Sequence, residues 1–179
     1  NRLHAHPFEK MRAHRISSAQ TLPCAFRREE SEILGAAKKM LSQFAAQILD
    51  TLRVQRVPAS FGMTGLWAEQ NPELVRRMAV DGHQLINHTY GHSSFTGLST
   101  RLGAMPSASR RQQLERTEEI VRSIAGVEMR PYFRPPYGDY DASVNLDVGA
   151  LGYRYNVMWT VDSLGWNGLP AGAIVQIGR

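Results

Sequence analysis

From Phe44 onward, short apolar runs alternate with longer stretches of helical periodicity, and this alternation constrains the fold more than any other feature of the chain. Phe44, Ile48, Leu49 and Leu52 fall on one helical face, and Pro58 then opens a strand-like run over 59–63. Asn71 and Pro72 mark a helix start with Leu74, Val75 and Met78 on its apolar side. Gly82 ends that helix before a second strand-like run over 83–87. Leu114, Thr117, Val121 and Ile124 step through a further helix that stops at Gly126. A short strand is read at 132–134, a helix capped by Asp141 runs to Ala150, and the last strand is read at 154–160. Strands separated by helices of this length imply βα units, and so an α/β fold with a parallel sheet or barrel.

Residues 1–43 differ in character. They hold three of the six His, scattered charge and no period-2 strand, and read as an atypical basic leader without recognisable fold, with 44–179 as the folded domain. The net charge of +5 follows the same division: residues 1–45 carry eight Lys and Arg against four Glu, whereas 46–179 carry thirteen against twelve acidic residues. The basicity therefore belongs to the leader, and the Tyr and Trp are not interleaved with Lys and Arg as a nucleic-acid stacking surface requires. No nucleic-acid partner is expected. No run approaches the roughly 18 apolar residues of a membrane span, and no basic-then-apolar leader is read at Asn1. The single Cys24 excludes an internal disulfide or a thiolate cluster, so any metal is held by His, Asp or Glu.

In α/β folds the chemistry gathers at the carboxyl ends of the strands. Three polar clusters follow predicted strands: His88-Thr89-Tyr90-Gly91-His92, Arg134-Pro135-Pro136-Tyr137-Gly138 and Asp162-Ser163-Leu164-Gly165-Trp166. Their convergence on one rim is the expectation. The spacing of His88 and His92 puts two imidazoles on one side of a helical turn, an arrangement that chelates a divalent ion; packing histidines are the alternative. His83, inside the strand signal, reads as a hydrogen-bonded core residue. Arg134 stands before two prolines that stiffen the chain, where a guanidinium orients a neighbouring carboxylate or simply lies on the surface. Asp162 is either a cap or a site residue, and Trp159 and Trp166 are wall or sugar-stacking aromatics. Pro135 and Trp166 are taken as the substrate-contacting positions.

Together and in this order, the clusters resemble the NodB-homology polysaccharide deacetylases of carbohydrate esterase family 4, from about Phe44 to Arg179. Gly82-His83-Gln84 through His88-Thr89 and His92 resembles the family's histidine motif. Phe133 to Gly138 resembles its third motif, and Trp159, Asp162 and Trp166 its fourth. The resemblance implies a distorted, incomplete (β/α) barrel that removes N-acetyl, or occasionally O-acetyl, groups from an acetylated polysaccharide of the chitin or peptidoglycan kind. It implies a divalent metal, zinc above all with cobalt or nickel possible, on His88 and His92, with the Tyr137 backbone N–H facing the oxyanion. Arg134 would orient a catalytic base and Asp162 would tune a catalytic acid. An extracellular or cell-envelope location is inherited with the family.

Two family motifs have no counterpart. A strand ending in Thr-Phe-Asp-Asp-Gly is expected shortly before Phe44, yet no Asp precedes Asp50, which lies on a solvent-facing helix position. A strand ending in Leu-His is expected after the helix read at 170–179, so the chain is expected to stop short of it. The base, one metal ligand and the acid therefore lack positions. A fragment or disturbed reading frame, a pseudoenzyme, and a carbohydrate-binding surface all fit the sequence, with Asp139 and Asp141 the remaining carboxylates near a motif.

Overall fold

The structure, a computed structural model, describes residues 44–177. A helix α1 over 44–55 precedes β1 (Ser60–Met63), α2 (Gly65–Gln70), α3 (Pro72–Val80), β2 (Gln84–Asn87), α4 (Ser107–Ala125), β3 (Tyr132–Phe133), α5 (Ala142–Ala150) and β4 (Tyr155–Asn156). The four strands are all parallel and lie in the order β1-β2-β3-β4, an open α/β sheet among the described residues. By its contacts the chain divides into Ala36–Met158 and a second unit that takes in everything from Trp159 onward. Of that second unit, the described part consists of a 3₁₀ turn at Gly165–Asn167 and a helix α6 at Ala171–Ile177. The leader, residues 1–43, lies outside the described residues.

The predicted helix signals appear for the expected reasons. Pro72 opens α3, Gly126 ends α4 in the left-handed region at φ 70°, and Asp141 caps α5 by accepting the Val144 N–H at 2.8 Å. Three readings change. On α1 only Leu49 is fully buried, whereas Phe44 and Ile48 are each 53% exposed, so the expected apolar face sinks a single side chain. The strand read at 154–160 contracts to Tyr155–Asn156, because the carbonyls of Val157 and Met158 bind the Arg134 guanidinium rather than another strand. The short helix α2 had no sequence signal of its own. Thr64 caps it through the Trp67 N–H, and its first two amides, Gly65 and Leu66, donate to the carbonyls of Thr89 and Tyr90.

Two apolar clusters pack one face of the sheet against helices. Leu49, Met63, Val75, Leu85 and Val121 share one, and Phe95, Leu114, Phe133, Val144 and Tyr153 the other. Helix α4 contributes to both, and its buried stripe is Arg110, Leu114, Thr117, Glu118 and Val121. Of the two charges in that stripe, Arg110 is ion-paired and Glu118 is hydrogen-bonded. Arg110 donates to the Met105 carbonyl, to Ser143 and, at 3.2 Å, to Asp147, with both side chains under a tenth exposed. Asp147 also meets the more exposed Arg111 at 3.3 Å.

Removing one member of a buried pair leaves the other charged and desolvated, whereas an exposed partner is replaced by water. Asp147→Ala is therefore expected to lower unfolding free energy by about 3–5 kcal/mol, and Arg111→Ala by less than about 1 kcal/mol. Urea denaturation of the two variants measures the contrast; equal losses would mean that the Arg110–Asp147 pair contributes nothing special.

Candidate functional site

Sheet register sets the site. Met63 pairs with Asn87, and Asn87 with Phe133, so the residues that follow, Thr64, His88 and Arg134, leave the sheet at one rim. The ladder runs one step further: His88 N–H donates to the Met63 carbonyl at 3.1 Å, and Arg134 N–H to the Asn87 carbonyl at 2.9 Å. Two of the three predicted clusters thus meet as expected.

The His88 and His92 rings lie with centroids 4.7 Å apart and planes at 75°, and the Tyr137 ring lies 4.8 Å from His92. Residues 88–92 do not form the helical turn that their spacing suggested. Thr89 and His92 both adopt left-handed backbone, at φ 67° and 59°, and the loop folds the two imidazoles together without any helix. Its backbone is anchored throughout. Thr89 N–H donates to the Asn87 side-chain oxygen, His92 N–H to the Thr89 hydroxyl, and the amides of Tyr90 and Gly91 both to Gln113 Oε1.

His88 Nδ1 is 2.7 Å from the Arg134 carbonyl oxygen. A carbonyl only accepts, so Nδ1 carries the proton and Nε2 keeps its lone pair. That is the arrangement of a metal-binding imidazole, whose second nitrogen characteristically rests on a backbone carbonyl. Burial pushes the His88 pKa down to about 4; the hydrogen bond to Arg134 opposes this, and the charges of His92 and Arg134 reinforce it. The ring is accordingly neutral, and able to ligate, across the neutral range.

Arg134 donates from Nε to the Val157 carbonyl at 2.9 Å and from Nη2 to that of Met158 at 3.3 Å. The two following prolines are buried, and the turn Pro136–Gly138 places Tyr137 at φ 61° with its side chain partly exposed. Gly62 forms the floor between the clusters: a Cβ there would lie 3.6 Å from Arg134 Cδ and 4.0 Å from His88 Cγ.

Both nearby carboxylates are engaged elsewhere. Asp139 accepts from the Ser94 hydroxyl and from both the amide and the hydroxyl of Ser99, at 2.7 to 3.0 Å, and so pins the loop after His92 to the turn after Tyr137. Asp141 is occupied by its cap, whose hydrogen bonds from Val144 and Ser143 hold the carboxyl below its ordinary pKa. Asp50, exposed as expected on α1, pairs with Arg77 at 2.7 Å. Among the described residues no group of three His, Cys, Asp or Glu could hold a metal ion. The imidazole pair therefore fits a divalent ion, while the described chain adds no third donor.

The other predicted positions divide. His83 is a buried residue at the opposite end of β2; its Nδ1 accepts from the Ala59 amide at 3.2 Å, while its Nε2 has no hydrogen-bond partner and its ring meets Phe61 edge-on. The core reading holds, with half its hydrogen bonding unmet. In the second unit Asp162 accepts the Leu164 N–H at 2.9 Å, a local turn, and Trp159 is 45% exposed. The Trp166 side chain lies outside the described residues. Sequence reading missed Gly62, Asn87 and Gln113, and took Asp139 as a spare carboxylate rather than as the clamp it is. Asn87 carried a detectable signal, a polar residue closing an apolar strand; Gln113 carried none.

Residues 35–156 match the polysaccharide deacetylase family. The chain is 34% identical over 134 residues to the peptidoglycan-N-acetylglucosamine deacetylase of Bacillus cereus, covering 75% of this chain and 46% of that protein. It is 39% identical over 116 residues to the chitin deacetylase of Colletotrichum lindemuthianum, covering 62% and 44%. Among solved structures, a family 4 carbohydrate esterase from Streptomyces lividans in complex with acetate superposes with a TM-score of 0.63 at 32% identity, covering 74% of this chain and 65% of that one. The chain thus spans somewhat under half the length of these two curated relatives. With its family match, its parallel open sheet and its paired histidines on the strand rim, the chain belongs to the polysaccharide deacetylases of carbohydrate esterase family 4.

Proposed function

We propose that this domain carries the histidine half of a metal-dependent deacetylase site for acetylated polysaccharides, and that on its own it hydrolyses them at or near background. One observation carries the reading: His88 is fixed by the Arg134 carbonyl in the ligand tautomer, with the His92 ring 4.7 Å away and no carboxylate beside them among the described residues. His88 and His92 would hold the ion; imidazole donors suit zinc, with cobalt or nickel as alternatives. When bound, such an ion supplies Lewis acidity that polarises an acyl oxygen and acidifies water.

The remaining roles follow the family resemblance. The Tyr137 backbone N–H would donate to the oxyanion of an acetyl group under attack. Pro135 and Trp166 would contact the sugar, and Arg134 and Asp162 would serve the base and acid as positioning groups. The relatives named above act on peptidoglycan and chitin, which favours an acetylated glycan of that kind and an extracellular or envelope location. No helix among the described residues is long and apolar enough to cross a membrane. A second reading, glycan binding without hydrolysis, is favoured by the engagement of Asp139 and Asp141 in hydrogen bonds, which leaves neither of these two described carboxylates free to serve as a substitute base.

Acetate release from acetylated glucosamine oligomers, measured with zinc or cobalt, is expected to stay at background. Each missing proton-transfer group withholds about 10²- to 10⁴-fold. Robust release that disappears in a His88→Ala, His92→Ala double variant would refute this and reveal a further carboxylate. Calorimetry should likewise find zinc held weakly, since two protein ligands leave most of the shell to water; tight binding that survives a mild chelator would identify a missed ligand.

The His88 ring should titrate near pH 4 when followed by proton NMR, because burial lowers its folded-state pKa. The unfolded chain takes up this proton first, at about pH 6.5. Stability from His88 is thus fully present above that value and falls away as pH drops from about 6.5 towards 4. A midpoint above 6 would show the ring to be solvated.

A further inference from the structure

Beneath the histidine loop runs a buried polar chain that the proposed chemistry does not use. It begins at Glu118 on α4, 1% exposed. One carboxylate oxygen accepts the Met129 N–H at 2.8 Å and the other accepts the Tyr153 hydroxyl at 2.7 Å. Asn87 Nδ2 donates to the Tyr153 oxygen at 2.6 Å and to the Leu114 carbonyl at 3.0 Å, and Asn87 Oδ1 accepts the Thr89 N–H at 3.0 Å. The Thr89 hydroxyl oxygen then accepts the His92 N–H at 3.1 Å.

The direction of each link is forced. The Leu114 carbonyl can only accept, which assigns the amino side of Asn87 to it and to Tyr153. Tyr153 must then send its own proton to Glu118, whose two oxygens both accept, as a carboxylate's do. Asn87 is left with its oxygen facing Thr89, the acceptor that the Thr89 amide needs. Thr89 is β-branched and sits at φ 67°, a conformation that such a residue holds only where its surroundings over-determine it.

We propose that Glu118 and Tyr153 are positioning residues for the paired histidines: through Asn87 they hold Thr89 in its left-handed conformation and thereby set the facing of His88 and His92. The functional consequence rests on reading that pair as a metal site, whereas the geometric claim holds in the metal-free chain.

The test uses the full chain with Tyr153→Phe and Glu118→Gln, and Val75→Ala as a core truncation of α3 outside this network. In metal-free protein, NMR reads the cross-peak between the His88 and His92 rings and the exchange rate of the Thr89 amide. Cobalt(II) alone, followed by its visible absorption, reads affinity. In both network variants the inter-ring cross-peak should vanish, Thr89 exchange should rise at least about tenfold, and cobalt affinity should fall about 10- to 100-fold, as for other outer-shell groups. Val75→Ala should lower the melting temperature and leave all three readouts in place. Folded network variants with unchanged readouts would overturn the proposal, as would a matching change in Val75→Ala or the failure of both network variants to fold, since any of these makes the network merely structural. Absence of cobalt binding by the unsubstituted chain would defeat the metal reading, while the cross-peak and exchange would still decide the positioning role.

Discussion

The pairing of Met63 with Asn87, and of Asn87 with Phe133, is the constraint on which the rest of the site depends. Side chains alternate between the faces of a strand, so a slip of one residue in β2 would turn His88 away from Arg134 and take Leu85 out of its apolar cluster. The apolar clusters, both built on the sheet face that carries Met63, Leu85 and Phe133, resist that slip. Core packing therefore holds His88 Nδ1 within hydrogen-bonding distance of the Arg134 carbonyl, and with it the proton state of the ring.

Beyond the sheet, order in the site comes from polar groups that each serve a backbone segment. Gln113 takes two amides of the histidine loop, Asp139 ties that loop to the turn bearing Tyr137, and the carbonyls of Val157 and Met158 hold Arg134 in place. These bonds pre-form the histidine geometry. They also engage the carboxylates: Asp139 and Asp141 can leave their hydrogen bonds only by releasing a loop or uncapping α5. The imidazole pair is thus held firmly, and Asp139 and Asp141 have little freedom to move towards it.

Much of this was legible in the chain. Strand-like runs, the Asn71-Pro72 start, the Gly126 stop and the Asp141 cap gave the βα order, since each is a local backbone preference that survives folding. The histidine spacing correctly brought two imidazoles together, although by a left-handed loop rather than a helical turn. The helix α2 and the loss of strand after Asn156 were not legible, because both depend on hydrogen bonds to residues far away in sequence, Thr89 and Arg134.

By itself, then, the sequence determined the order of the strands and of the longer helices and two of the polar clusters that follow the strands, because propensity, caps and periodicity act within a few residues. Only the tertiary structure decided that Phe44 and Ile48 remain half exposed, that Glu118 and Arg110 are buried beside apolar neighbours, and that Asp139 is a clamp. A charged residue is buried only when a partner distant in sequence satisfies it, and no local pattern specifies which of several Asp or Glu residues will find one.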